Sequence, residues 1–63
     1  MTSPITVLLA DDDADLRRIY RRLFDATDGF RVVDEAGTGK DAIRKINALC
    51  PDVALIDVQL PGG

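Results

Sequence analysis

A chain of 63 residues with 46% hydrophobic and 30% charged residues has the balance of one ordinary globular domain, and at this length it buries only about 60% of the surface it exposes when unfolded. No apolar run approaches the roughly 20 residues needed to span a bilayer, the first four residues carry no secretory pattern, and the single cysteine, Cys50, excludes an internal disulfide framework. These features set the expectation of a cytoplasmic protein in a reducing compartment, and the net charge of −3 argues against direct nucleic-acid binding.

The chain opens with an apolar run, residues 5–10, that reads as a strand and ends on Asp11, Asp12 and Asp13. A helix follows over 14–26, because Leu16, Ile19, Tyr20, Leu23 and Phe24 recur at helical spacing. Arg17, Arg18, Arg21 and Arg22 fall on its other side, as a solvated face. Asp12 or Asp13 can cap its start, and Asp28-Gly29 marks the turn out of it. Residues 30–36 form a second strand whose charged residues suit a sheet edge. The second helix, 39–49, opens on Thr38-Gly39-Lys40-Asp41, a variant of the capping box with Asp in place of Glu. Its buried stripe is expected to be Ala42, Ile43, Ile46 and Leu49, and Pro51 ends it. The third strand, 53–57, is an apolar run closed by Asp57.

This alternation is βαβαβ, an α/β fold with a parallel sheet. Strands buried on both faces read as continuous apolar runs; the first and third do so, which places the mixed second strand at an edge and predicts the order 2-1-3. Right-handed crossovers then put the helices on opposite faces and make the gap between strands one and three a topological switch point. Asp57 comes beside Asp11 and Asp12 there. In the order 1-2-3 the acids would lie roughly 9–10 Å apart, too far to share one ion. Carboxylates gathered at one point repel one another unless a cation joins them. Mg2+ fits best, because it is held by one or two carboxylates with waters and a phosphate oxygen, and the chemistry suggested is phosphoryl transfer.

Val7-Leu8-Leu9-Ala10-Asp11-Asp12-Asp13 and Leu55-Ile56-Asp57-Val58-Gln59-Leu60-Pro61-Gly62 resemble the receiver domain of bacterial two-component response regulators, a flavodoxin-like doubly wound fold. The stretch FRVVDEAGTGK, residues 30–40, resembles in particular the members that carry helix-turn-helix output domains, so transcription regulation is expected by analogy. The resemblance implies that Asp57 is the phosphoacceptor, taking a phosphoryl group from a histidine kinase or phosphotransfer protein. It also implies that Asp12 binds Mg2+ directly, Asp11 chiefly through water, and Gln59 through its backbone carbonyl. Arg18 and Arg22 become candidate kinase-docking residues, since the helix after the acid pair borders the kinase-facing surface in this family. The acyl phosphate is lost to water, so the module is expected to be a timed switch and not a turnover enzyme.

The family's sheet has five strands, with a Ser or Thr ending the fourth and a Lys ending the fifth, and residues 1–63 match only its βαβαβ half. The expectation is therefore a truncated receiver domain, with Gly62-Gly63 opening the loop after the acceptor. Its third strand is expected to have one backbone edge and part of both faces uncovered, and such an edge can template self-association. The alternative is a receiver fragment that cannot switch and acts only through self-association or protein interaction.

Other motifs fall away on inspection. Asp11, Asp13 and Asp15 mimic the start of a calcium loop, but Leu16 stands where that loop needs Gly and Arg22 where it needs Glu. Residues 37–40 evoke a phosphate loop, yet Asp34 occupies the first glycine position and Asp41 the Ser/Thr position. An aspartate-nucleophile phosphatase also uses a strand-end Asp, but Gln59 stands in place of its second acid, which serves as general acid.

Overall fold

The structure, a computed structural model, describes residues 3–62; Gly63, assigned from sequence to the loop after the acceptor, lies outside the described residues. Five elements follow one another: β1 (Ile5–Ala10), α1 (Ala14–Asp25), β2 (Phe30–Ala36), α2 (Gly39–Leu49) and β3 (Val53–Ile56). The strands form one parallel sheet in the order β2-β1-β3, as the charge of the second strand and the apolar character of the first predict.

β1 is the centre of the sheet and of the core. Val7, Leu8, Leu9 and Ala10 are each at most 1% exposed, and full burial of a Val or Leu side chain is worth about 1.5–3 kcal/mol. Successive side chains of a strand point to opposite faces, so this run supplies both layers at once. Val7 and Leu9 pack with Val32, Phe24 and Phe30 on the α1 side, while Leu8 and Ala10 pack with Ala36, Ala42, Ile46 and Leu60 on the α2 side.

The register of β2 contains an irregularity that the sequence pattern did not foretell. Val7 pairs with Val32, but Leu8 pairs with Asp34, so Val33 is an extra residue in the edge strand. A one-residue slip moves every later side chain to the opposite face. Glu35 therefore shares the α1 face with Leu9, its partner in the register, and Asp34 goes to the α2 face with Leu8.

The helix ends are set by local polar groups. Asp13, not Asp12, caps α1, its Oδ1 accepting from the amides of Asp15 at 2.9 Å and Leu16 at 3.3 Å. Ala26 is the C-cap and not the last helical residue, and Gly29, at φ +92°, turns the chain into β2. At α2, Thr38 Oγ1 accepts from Asp41 N at 3.1 Å. The return half of the expected capping box is not made among the described residues: the shorter Asp41 carboxylate is taken by Arg44 and Lys45 instead.

The expected buried stripe of α2 needs correction, while the uncovered third strand is as expected. Leu16, Ile19, Tyr20 and Leu23 of α1 are 36–58% exposed, because α1 packs on β2 and β1 but leaves the β3 side of its apolar face open. Ile43 and Leu49 of α2 are exposed, leaving Ala42 as that helix's buried contact. All four residues of β3 are exposed, since this strand is the second edge of the sheet; its regular pairing stops at Ile56, one residue before Asp57.

Cys50 closes α2 in the left-handed region, φ 47° and ψ 56°. It precedes Pro51, whose ring disfavours a right-handed helical conformation there, and it lacks the freedom that glycine has in this region. Cys50→Gly is expected to raise stability, relief of roughly 1–2 kcal/mol of left-handed strain being offset in part by about 0.4–1 kcal/mol of added unfolded-state freedom, read as a higher urea midpoint at unchanged slope.

Candidate functional site

The site forms where β1 and β3 end side by side. The amide of Asp11 bonds to the Ala36 carbonyl at 3.0 Å, and the amide of Asp57 bonds to the Ala10 carbonyl at 2.9 Å. Each acid is thus the first residue beyond a strand whose ladder still holds its backbone. One carboxylate oxygen from each of Asp11, Asp12 and Asp57 lies within 4.8 Å of the other two. Asp11 is almost buried at 9% exposure, Asp57 is half-buried and Asp12 is exposed, so the cluster spans the boundary between core and solvent.

The carboxylates are oriented chiefly by backbone. Asp11 Oδ1 accepts from the amide of Asp13 at 2.9 Å. Asp57 Oδ1 accepts from the amide of Gln59 at 3.2 Å, and its carbonyl accepts from Leu60 N at 3.1 Å in the same turn. Among the described residues no Lys or Arg is paired with any of the three carboxylates. An all-oxygen, uncompensated donor set of this size suits a hard divalent cation. Asp13, which caps α1, is outside the cluster.

A cleft of about 210 Å³ opens beside the acids between α1 and β3, with Asp11, Arg17 and Asp57 at its wall and Leu16, Tyr20 and Leu55 continuing it. Arg18 and Arg22 are exposed on α1 and do not line it. Arg18 pairs with Asp15 at 3.2 Å, but both side chains are largely in solvent, where such a pair contributes little. Gln59 is exposed in the turn after Asp57.

The reading of the α1 arginines as a solvated face fails for Arg17, while Arg21 stays exposed but is ion-paired. Arg17 Nε donates to Glu35 Oε1 at 3.0 Å and its Nη1 to the Asp11 carbonyl at 2.6 Å, while Arg21 Nη1 donates to Glu35 Oε2 at 2.7 Å. The extra residue in β2 brings Glu35 to the α1 face, where both arginines reach it. Helical spacing alone conceals this; the available signal is an acid in the middle of an edge strand opposite arginines at i and i+4. A second unforeseen contact is the bond from the Gly39 amide to the Pro61 carbonyl at 2.6 Å. A Cβ at residue 39 would lie 3.3 Å from Gly62 Cα and 3.4 Å from that carbonyl, so the close approach of the post-acceptor loop to the start of α2 favours glycine.

Comparison with known proteins places this geometry. The family model of the response regulator receiver domain matches residues 7–63. The chain belongs to this family. A protein-glutamate methylesterase/protein-glutamine glutaminase of Myxococcus xanthus is 40% identical over 62 residues, covering 98% of this chain and 18% of that protein. Among solved structures, the response regulator domain of Thermotoga maritima CheB superposes with a TM-score of 0.89 at 34% identity, over 92% of this chain and 43% of that one. A LuxR-family two-component response regulator from Aurantimonas sp. SI85-9A1 gives 0.87 at 36% identity, over 97% and 45%. The receiver chain spans less than half the length of each of these. The flavodoxin-like fold and the order 2-1-3 are those of receiver domains, which interact with histidine kinases or phosphotransfer proteins. No described helix is long and apolar enough to cross a membrane.

The arginine pair bears on acid stability. The Arg21 hydrogen bond, opposed by burial and reinforced by Arg17, holds the Glu35 carboxyl below its ordinary value of 4.5. A carboxyl with a depressed folded value stabilises above the unfolded value and loses that contribution as pH falls through the folded one. Glu35→Gln is therefore expected to destabilise by roughly 0.5–1 kcal/mol at pH 7. The gap to wild type should close as pH drops below 4.5, as followed by denaturant titration across pH.

Proposed function

We propose that the chain is the phosphoacceptor module of a two-component phosphorelay, receiving a phosphoryl group on Asp57 from a histidine kinase or phosphotransfer protein. The observation that carries the reading is the convergence of Asp11, Asp12 and Asp57 within 4.8 Å at the ends of adjacent strands, in a chain of the receiver family. Asp12 and Asp57 would hold Mg2+ directly, with the Gln59 carbonyl, and Asp11 would hold it through water. When bound, the ion offsets negative charge on the phosphoryl oxygens and helps keep the reactants in line.

The chain's own residues do the rest by position. The Gln59 amide fixes Asp57 Oδ1 and leaves Oδ2 as the attacking oxygen. The new bond joins Oδ2 to phosphorus as the bond from phosphorus to the donor histidine nitrogen breaks, and the imidazole leaves neutral, keeping the proton carried by its other ring nitrogen. Water later cleaves the acyl phosphate, returning the carboxylate and inorganic phosphate, so each cycle resets a switch. Arg18 and Arg22, exposed on α1, offer positive charge for docking the donor protein.

The output assignment follows the relatives in two directions. Transcription regulation is the reading supported by the LuxR-family structure, and methylesterase output is the second, supported by the Myxococcus xanthus protein. Specific DNA binding by the intact protein distinguishes them. The exposed edge strand β3 supports self-association through strand pairing, read by sedimentation across a concentration series; a monomer throughout would exclude it.

Incubation with acetyl phosphate and Mg2+ should add one phosphoryl group by intact mass, and Asp57→Asn should abolish the addition. Asp12→Ala should slow it and weaken Mg2+ binding while leaving the fold intact. A folded wild-type chain that gains no mass would instead favour the switch-incompetent reading.

A further inference from the structure

We infer that Arg17 is a positioning residue for the acidic pocket, clamping the turn between β1 and α1 to the edge strand β2 and so fixing the peptide plane from which Asp12 hangs. The inference rests on the reading of Asp11, Asp12 and Asp57 as a divalent-cation site.

Among the described residues, Arg17 is the one whose side chain bonds both the turn and the edge strand. Its guanidinium donates to the Asp11 carbonyl at 2.6 Å and to Glu35 Oε1 at 3.0 Å, its side chain is 21% exposed, and it lines the cleft beside Asp11 and Asp57. Asp11 is held at its amide by Ala36 and at its carboxylate by Asp13. Its carbonyl is the remaining handle, and it shares one rigid plane with the amide of Asp12. Holding that oxygen stops the plane from rotating and sets where the Asp12 carboxylate begins.

The geometry also keeps Arg17 from competing with a cation. Its bonded donors go to a carbonyl and to Glu35 rather than to the three carboxylates, so it orients the pocket without pairing with them. A planar fork can reach two acceptors together, whereas a lysine ammonium on a single stem does not reproduce that geometry. Arg21 is the natural control: it bonds the same Glu35 carboxylate but is not bonded to Asp11.

The test is Mg2+ titration of the wild-type chain and of Arg17→Ala, Arg17→Lys and Arg21→Ala, followed by amide NMR, with urea unfolding of each. Arg17→Ala is expected to weaken Mg2+ binding about tenfold, the scale found when an outer partner of a metal ligand is removed. It should also shift the Asp12 and Asp13 amide resonances before any metal is added. Arg21→Ala should lose comparable stability yet keep wild-type affinity and unshifted amides, and Arg17→Lys should fall between. Wild-type affinity in Arg17→Ala, or an equal loss in Arg21→Ala, overturns the inference. If Arg17→Ala does not fold, wild-type affinity in Arg17→Lys overturns it. A wild-type chain that does not respond to Mg2+ overturns the cation reading itself; unshifted amides in metal-free Arg17→Ala overturn the clamp independently.

Discussion

The site depends on β1 being paired along both edges and covered on both faces. Val7 to Ala10 have no exposed side, and their backbone groups are engaged by β2 on one edge and β3 on the other. The first position where the chain can meet water is therefore the end of the strand, and acids stand there. β3 runs parallel to β1 and in register with it, Ile56 opposite Ala10, so Asp57 emerges one residue later beside Asp11. The carboxylates meet because β3 pairs in parallel register with the buried β1, which brings the ends of the two strands side by side. Their repulsion is a local cost imposed by the core, which a bound cation would offset.

The second constraint acts from the edge strand, which contributes no carboxylate to the cluster. Had β2 kept perfect alternation, Val32 and Asp34 would share one face and Glu35 the other. The additional residue at Val33 reverses this. Asp34 then meets Lys45 of α2 at 3.4 Å, and Glu35 meets Arg17 and Arg21 of α1. The edge is thus tied to both helices by charge, where apolar residues would leave an exposed sticky strand. The tie on the α1 side extends through Arg17 to the Asp11 carbonyl, linking a packing irregularity to the candidate site.

Much of this was legible in the residues alone. Continuous apolar runs against a charged strand are enough to order the sheet, and that order brings Asp11, Asp12 and Asp57 together. Helix caps at Asp13 and Thr38 follow from short-range hydrogen bonding. What escaped depends on three-dimensional phase. The bulge at Val33 leaves no mark in a stretch where a valine flanks it on one side and acids on the other, so the face on which Glu35 lies, and with it the role of Arg17, does not follow from alternation. Burial on α2 was overestimated for a related reason: periodicity shows which side of a helix is apolar, not how much of that side has a neighbour.

The post-acceptor turn shows how tightly the far side of the site is bound to the core. Asp57 begins the turn through bonds to the amides of Gln59 and Leu60. Leu60 then packs against Leu8, Ala10, Ala36 and Ala42, and Pro61 accepts from the first residue of α2. A carboxylate on a free loop would adjust to its surroundings. Asp57 instead lies between a strand ladder on one side and a turn anchored to α2 on the other, so the rim is held by both helices: α1 through Arg17 at Asp11, and α2 through Gly39 at Pro61. Positional restraint on both sides of a carboxylate pocket is what in-line group transfer demands of a protein that supplies geometry more than chemistry.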